Sequence, residues 1–287
     1  INELCRRAVD QGISLFAVLK AACLNPVLHY RLEVGLLQPE DPADFILVSD
    51  LTTFRVIATY INGQKVAEEG KSFIGSVNEQ PINRFNCEKK EPHLFAFPLT
   101  EQQRREGIPV IEALEGQLIT NRLLEKPLEE KGLAVSDTKR DLLKMAVVNR
   151  YADQPPALAF IRNFGLKHGA IASSVAHDSH NIVAVGVDDT SLCAAINLVI
   201  GQKGGISCVG PNESQVLPLP VGGLMSADDG YRVAERYTAI DALAKKLGSP
   251  LHAPFMTLSF MALLVIPHLK LSDKGLFDGD AFQLINP

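Results

Sequence analysis

Apolar and polar positions along the chain change period several times, and each change marks a boundary. Residues 2–11, "NELCRRAVDQ", put Leu4 and Ala8 on one face of a predicted helix that Gly12 ends. Ser14 then caps a second helix running to about residue 24, with Leu15, Val18, Leu19 and Ala22 on one side, and Asn25-Pro26 stops it. "FILVS" at 45–49 reads as a short strand. "FRVIATYI" at 54–61 alternates Phe54, Val56, Ala58 and Tyr60 with Arg55, Ile57, Thr59 and Ile61, so both faces carry apolar residues. Asn62-Gly63 is a hairpin signal, and "QKVAEE" returns from it. Three short antiparallel strands leave open edges and call for pairing partners.

Residues 71–97 contain Gly75, Asn78, Pro81, Asn83, Asn86 and Pro92 and keep no period, which predicts a linker or a long surface excursion. Strand-like runs dominate after residue 98: "IPVIEAL", "QLITNRLL", "LLKMAVVNRY", "GAIASSVA", "IVAVGV", "GGISCVG" and "QVLPLPV". Two helices interrupt them. One carries the stripe Leu192, Ala195, Ile196, Val199 and Ile200. The other carries Val233, Tyr237, Ile240, Ala244 and Leu247, begins at Ser226 with Asp229 three residues on, and ends at Gly248 and Pro250. Strands outnumber helices without βαβ alternation, so the fold class is α+β. Four segments follow: 1–35 helical, 36–75 strands, 76–97 linker, 98–287 a mixed α/β-sheet domain.

Composition adds mainly exclusions. The chain has 287 residues, 46% of them hydrophobic, a formal charge of −5 and no Trp. With no long basic run and few aromatics, nucleic-acid binding is not expected. No apolar run reaches the roughly 18–20 residues of a membrane span. The five cysteines stand singly, without a Cys-x-x-Cys, as reduced thiols do in a cytoplasmic protein.

Chemistry-bearing residues concentrate in "VAHDSHNIVAVG", residues 175–186. Here His177, Asp178, Ser179, His180 and Asn181 lie between two strand-like runs. Two titratable rings beside a carboxylate on a strand-to-strand loop suit binding or proton transfer. The alternative is a turn whose Asp, Ser and Asn bond their own backbone. This segment offers two good metal ligands plus Asp178, short of the set a metal needs alone. "LPLPVGGLMS" at 217–226 shapes a pocket or simply connects a strand to a helix. "GQKGG" at 201–205 follows a helix instead of opening one, which weakens a phosphate-loop reading. No His-x-His, His-Glu-x-x-His, Gly-x-Ser-x-Gly or Walker loop is present.

Two groups of residues carry a resemblance. Asn25-Pro26, Gly35 and Ala43-Asp44 followed by Phe45 to Val48 resemble the end of an amidohydrolase barrel, where the chain returns to a small β-sandwich. "SSVAHDSHN", "LPLPVGGLMS" and "LSFMALLVIPHLKLSDKGLFD" are similar to the C-terminal domain of bacterial adenine deaminases. "PEDP" stands where the superfamily has Pro-Gly. The resemblance implies that residues 1–35 are the last barrel helices and 36–75 part of the sandwich. It implies hydrolysis of adenine to hypoxanthine and ammonia by a metal-bound hydroxide, with a carboxylate shuttling the proton. The implied cofactor is a binuclear manganese or iron centre whose ligands precede Ile1, so the chain alone is expected to be inactive and to need the missing barrel segment. It also implies a cytoplasmic homodimer serving purine salvage. In that setting His177 or His180 binds or orients substrate or supports the outer shell of the metal site, Asp178 fixes a ring tautomer, and Asn181 bonds the purine edge. Two other classes remain: a non-catalytic assembly domain covering the barrel, and an enzyme with Cys193 or Cys208 as nucleophile beside His177.

Overall fold

In a computed structural model that describes residues 1–75 and 80–285, the chain divides into two units, residues 1–77 and 78–287. The first opens with α1 (Asn2–Asp10) and α2 (Leu15–Leu19), continues through a π-helical turn (Lys20–Leu24), and runs into α3 (Asn25–Tyr30). The predicted stop at Asn25-Pro26 therefore does not occur. Pro26 falls in the first turn of α3, where a missing N–H is tolerated, and the wider π turn before it relieves the ring. The helix ends instead at Arg31, with φ 52°. Ser14 stands at the N-cap of α2, but its side chain makes no capping bond. Cys5, Val18 and Phe54 form a small core, whereas Leu4 points outward.

Four strands follow: β1 (Phe45–Val48), β2 (Val56–Ile61), β3 (Gln64–Glu68) and β4 (Lys71–Ser72), paired antiparallel in that order. This is one more than the pattern predicts. Asn62 and Gly63 both take positive φ, as a two-residue hairpin turn requires. The carboxylate of Asp44 accepts the amides of Gly35 at 2.9 Å and Asn62 at 2.7 Å. A Cβ on Gly35 would lie 1.7 Å from the Pro42 carbonyl oxygen, so only glycine fits there.

The second unit comprises β5 (Phe97–Pro98), α4 (Glu101–Glu106), β6 (Ile108–Ala113), β7 (Thr120–Glu125), β8 (Leu128–Glu130), β9 (Leu133–Val135), β10 (Leu142–Val148), β11 (Ala157–Arg162), β12 (Ala170–Ser173), β13 (Ile182–Gly186), α5 (Asp189–Gly201), β14 (Gly205–Val209), β15 (Ser214–Pro218), α6 (Gly230–Lys246), α7 (Pro254–Phe260), β16 (Leu269–Ser272), β17 (Gly275–Asp278) and β18 (Gln283–Leu284). An eight-stranded sheet, ordered β15-β14-β12-β13-β10-β11-β6-β7, organises it. All seven predicted strands are in this sheet. The eighth, β11, pairs antiparallel with β10 and parallel with β6. The α+β class holds.

Both faces of the sheet are covered. Leu143, Met145 and Val147 of β10 face Ile240, Leu243 and Ala244 of α6, Phe255 and Leu258 of α7, and Leu269 and Leu271 of β16. Ala146 and Val148 face Leu192, Ala195, Ile196 and Val199 of α5, joined by Cys87 and Phe95. Of the segment read as a linker, residues 76–79 lie outside the described residues. The part from Cys87 onward packs on the sheet domain, held by an ion pair between buried Lys90 and Asp153 and by the Phe95 ring. Helix α6 starts later than the pattern predicts. Asp229 is its N-cap, accepting the amides of Tyr231 and Arg232, while Ser226 closes the preceding turn through the Asp228 amide. The carboxylate wins because it reaches two unpaired amides of the first turn at once.

One charge lies inside the sheet layer. Lys144 on β10 is 1% exposed; its ammonium donates to the Phe95 carbonyl at 2.8 Å and to Asp189 at 2.5 Å. Removing Asp189's charge strands that ammonium, whereas removing the lysine removes the desolvation cost with it. Asp189→Asn is expected to lower the unfolding free energy by about 3 kcal/mol, and Lys144→Met by clearly less, in urea denaturation.

Candidate functional site

The loop 174–181 joins β12 to β13, which are antiparallel neighbours, so the histidine-bearing segment is a strand-to-strand connection as its flanks predict. His177 is fixed from below. Its amide donates to the Ser259 carbonyl at 2.9 Å, and its ring stacks on Phe260 at a centroid distance of 4.9 Å and an interplanar angle of 17°. The His180 amide donates back to Ala176 at 2.7 Å, with His180 itself at φ 52°. The turn thus brings the two rings to 6.2 Å, edge to face. Asp178 and Ser179 are exposed at the tip, and Asn181 is buried at the base. Among the described residues no hydrogen bond joins Asp178 to either ring; it acts on His180 only through its charge. Neither imidazole has a hydrogen-bonded nitrogen among the described residues, and Nδ1 of His180 is sealed from water without a partner.

Beneath the loop lies Arg150, 4% exposed, just past the end of β10. Its backbone amide donates to the Asn181 side-chain oxygen at 3.3 Å. Its guanidinium donates to Asn83 at 3.1 Å and to the Tyr151 hydroxyl at 2.9 Å, and lies 4.6 Å from the Tyr151 ring centroid. The Tyr151 hydroxyl donates in turn to the Ser179 carbonyl at 3.0 Å, tying the loop tip to the same group. The glycine pair of "LPLPVGG" closes the other side. Ser174 donates its hydroxyl to the Gly223 carbonyl at 2.6 Å and accepts the Gly205 amide at 2.8 Å. Gly222 donates to the Ile82 carbonyl at 2.6 Å.

Residue chemistry singles out His177, Asp178, His180 and Asn181; the structure adds Arg150, Tyr151, Asn83, Gly223 and Phe260. One signal for Arg150 is visible in the sequence, a charge ending an otherwise apolar run in "LLKMAVVNRY". Nothing local announces the others, because they arrive from distant segments. Burial, the His177 ring and the Arg150 charge, in that order, hold the proton affinity of His180 below its ordinary value, with Asp178 opposing.

The described residues contain no group of three or more His, Cys, Asp or Glu side chains placed to hold a metal ion. They therefore do not fit the binuclear centre that the resemblance implies. Burial disfavours the cysteine-nucleophile reading. Burial pushes the Cys208 thiol up to about 12 and raises that of Cys193, whose Sγ donates to the Lys90 carbonyl.

Residues 117–283 match the family described as adenine deaminase C-terminal domain. The chain belongs to that family. Residues 1–66 match the amidohydrolase family. The adenine deaminase of Salinibacter ruber is 51% identical over 100% of this chain and 52% of its own length. That of Methanosarcina acetivorans is 49% identical over 99% of this chain and 53% of its own length, and that of Borreliella burgdorferi 46% over 100% and 52%. The chain thus spans about half the length of the curated adenine deaminases it matches.

Two outcomes follow for this adenine deaminase C-terminal domain. Gly223 has φ 74°, and a Cβ there would meet an Arg150 guanidinium nitrogen at 2.3 Å. Gly223→Ala is expected to cost about 1–3 kcal/mol of stability, read by thermal or urea unfolding. Because His180 binds its proton less readily folded than unfolded, its contribution to stability is present above the ordinary 6.5 and is lost as pH falls through the depressed folded value. Tm is therefore expected to drop as pH falls from 6.5 towards that folded value, and to drop less in His180→Gln.

Proposed function

We propose that this chain is the C-terminal part of a metal-dependent adenine deaminase, and that its loop 175–181 faces the substrate. Full-length coverage by adenine deaminase relatives supports the activity. The observation that supports the site is the pair of imidazoles presented on one loop without hydrogen-bonded partners among the described residues, beside a buried guanidinium. A substrate site needs polar groups pre-oriented and left unsatisfied by the protein, and a merely structural turn satisfies them internally. In this reading His177 and His180 bond the purine or its bound water, the Phe260 face sets the plane of the His177 ring, and Asn181 fixes the loop base.

The substrate is adenine and the products hypoxanthine and ammonia, in cytoplasmic purine salvage. The manganese or iron pair belongs to the barrel half of the relatives' length, outside this match. Residues 1–35 are the barrel's last helices, which accounts for exposed Phe16, Leu28 and Tyr30 on α2 and α3. Those side chains also favour assembly with that segment, and the whole enzyme as a homodimer.

The test places His177→Ala and His180→Ala in an active full-length enzyme carrying this chain. A fall of about 10–100-fold in kcat/KM for adenine is expected, the size found when groups that orient a reacting centre are removed. Unchanged kcat/KM in both variants would return the loop to a structural turn. The 287-residue chain alone, given adenine and Mn²⁺ or Fe²⁺, is expected to yield no hypoxanthine. Full activity in an enzyme truncated after residue 97 would favour the non-catalytic assembly reading.

A further inference from the structure

Arg150 has an unusual environment for a buried cation. Among the described residues it makes no ion pair. Its guanidinium has only neutral partners, Asn83 and the Tyr151 hydroxyl, with the rings of Tyr151 and Phe85 at 4.6 and 5.9 Å from its carbon, and its Nε is buried without a partner. Retaining a desolvated charge without a counter-ion is costly, and a methionine or leucine of similar volume would fill the space without that penalty. What the guanidinium does supply is connection. It bonds Asn83 and the Tyr151 hydroxyl, which in turn bonds the Ser179 carbonyl, and it lies where a Cβ on Gly223 would be 2.3 Å from one of its nitrogens; the Arg150 backbone amide, separately, donates to Asn181. Three separate segments, those of Asn83, Ser179–Asn181 and Gly223, thus come together at Arg150 and its planar, rigid group.

We propose that Arg150 is the positioning residue of the site, fixing the His177–Asn181 loop, the 222–223 glycine turn and the Asn83 segment as one body so that the His180 ring is presented in a single orientation. It acts through the loop and touches no reacting atom. The inference rests on reading that loop as part of the substrate site, but its test is read on the ring itself, so a failed adenine assay leaves it undisturbed.

The groups that bear on the His180 ring are Arg150 below, and His177 and Asp178 on its own loop. Removing Arg150 removes a positive charge and the anchor together. The experiment follows the His180 ring and the 177–181 amides by NMR through a pH titration of the 287-residue chain. In Arg150→Met, His180 is expected to titrate at higher pH, toward 6.5, and the 177–181 amide signals to shift or broaden while those of α5 stay in place. In Arg150→Lys, which keeps the charge and loses the planar fork, the amide signals are expected to move while the His180 titration stays near the parent's. Lys144→Met, at a buried lysine within β10, is the control: it changes stability and is expected to leave His180 and its loop unmoved. A folded Arg150→Met chain whose His180 titration and loop signals coincide with the parent's overturns the proposal. If Arg150→Met does not fold, loop signals unchanged in Arg150→Lys overturn it equally. A Lys144→Met chain that shifts the loop as much as Arg150→Met does so too, since the effect would then be one of general stability.

Discussion

Strand β10 is buried along its whole length, and the rest of the sheet domain is arranged around that fact. A strand sealed on both faces needs apolar cover above and below, so α5 and the Phe95 segment lie on one side and α6, α7 and β16 on the other. The strand's one internal charge is neutralised where α5 begins, through Asp189. Just past its end the burial has to give way to water, and there the polar residues Asn149, Arg150 and Tyr151 follow one another. The candidate site is the seam at which a fully covered sheet meets solvent. Its loop, its glycine turn and its arginine all belong to that margin.

Much of this was legible in the residues. Seven of eight sheet strands announce themselves by apolar runs, and the stripe from Val233 to Leu247 does mark a helix. The parts that are not legible share a cause: tertiary context outweighs the local signal. Pro26 reads as a stop, yet a widened turn carries the helix past it. "PFMTLSF" has no stripe because α7 is covered on nearly all sides. "LKLS" hides a strand because Lys270 is drawn into the interior, where its ammonium donates to Leu118 at 2.7 Å and burial alone lowers its pKa to about 8. The candidate site divides in the same way. The histidine loop is visible as a cluster, while the groups that hold it come from Asn83, Gly223 and Phe260, far away along the chain.

The family assignment and the geometry bear on different questions. Membership rests on the match over residues 117–283, and the chain spans about half the length of the adenine deaminases it matches. It does not say which of the domain's residues form a site. The geometry draws attention to a loop whose two rings have no hydrogen-bonded partner among the described residues, and it leaves Cys193 and Cys208 buried. The Gly35–Asp44 contact plays the corresponding part in the amidohydrolase-like unit. There a single carboxylate closes the approach to the first strand by accepting two backbone amides.

The seat of His177 has a consequence of its own. The plane of that imidazole is set by the last residue of α7, and its main chain by the residue before it. An insertion or deletion of one residue within α7 would rotate both by about 100° around the helix axis and slide them along it, since each residue advances a helix by that angle. The aromatic shelf would then leave the imidazole while the loop's own sequence stayed intact. The setting of the His177 ring is thus open to changes in a helix some eighty positions downstream, a region in which a search confined to the loop would never look.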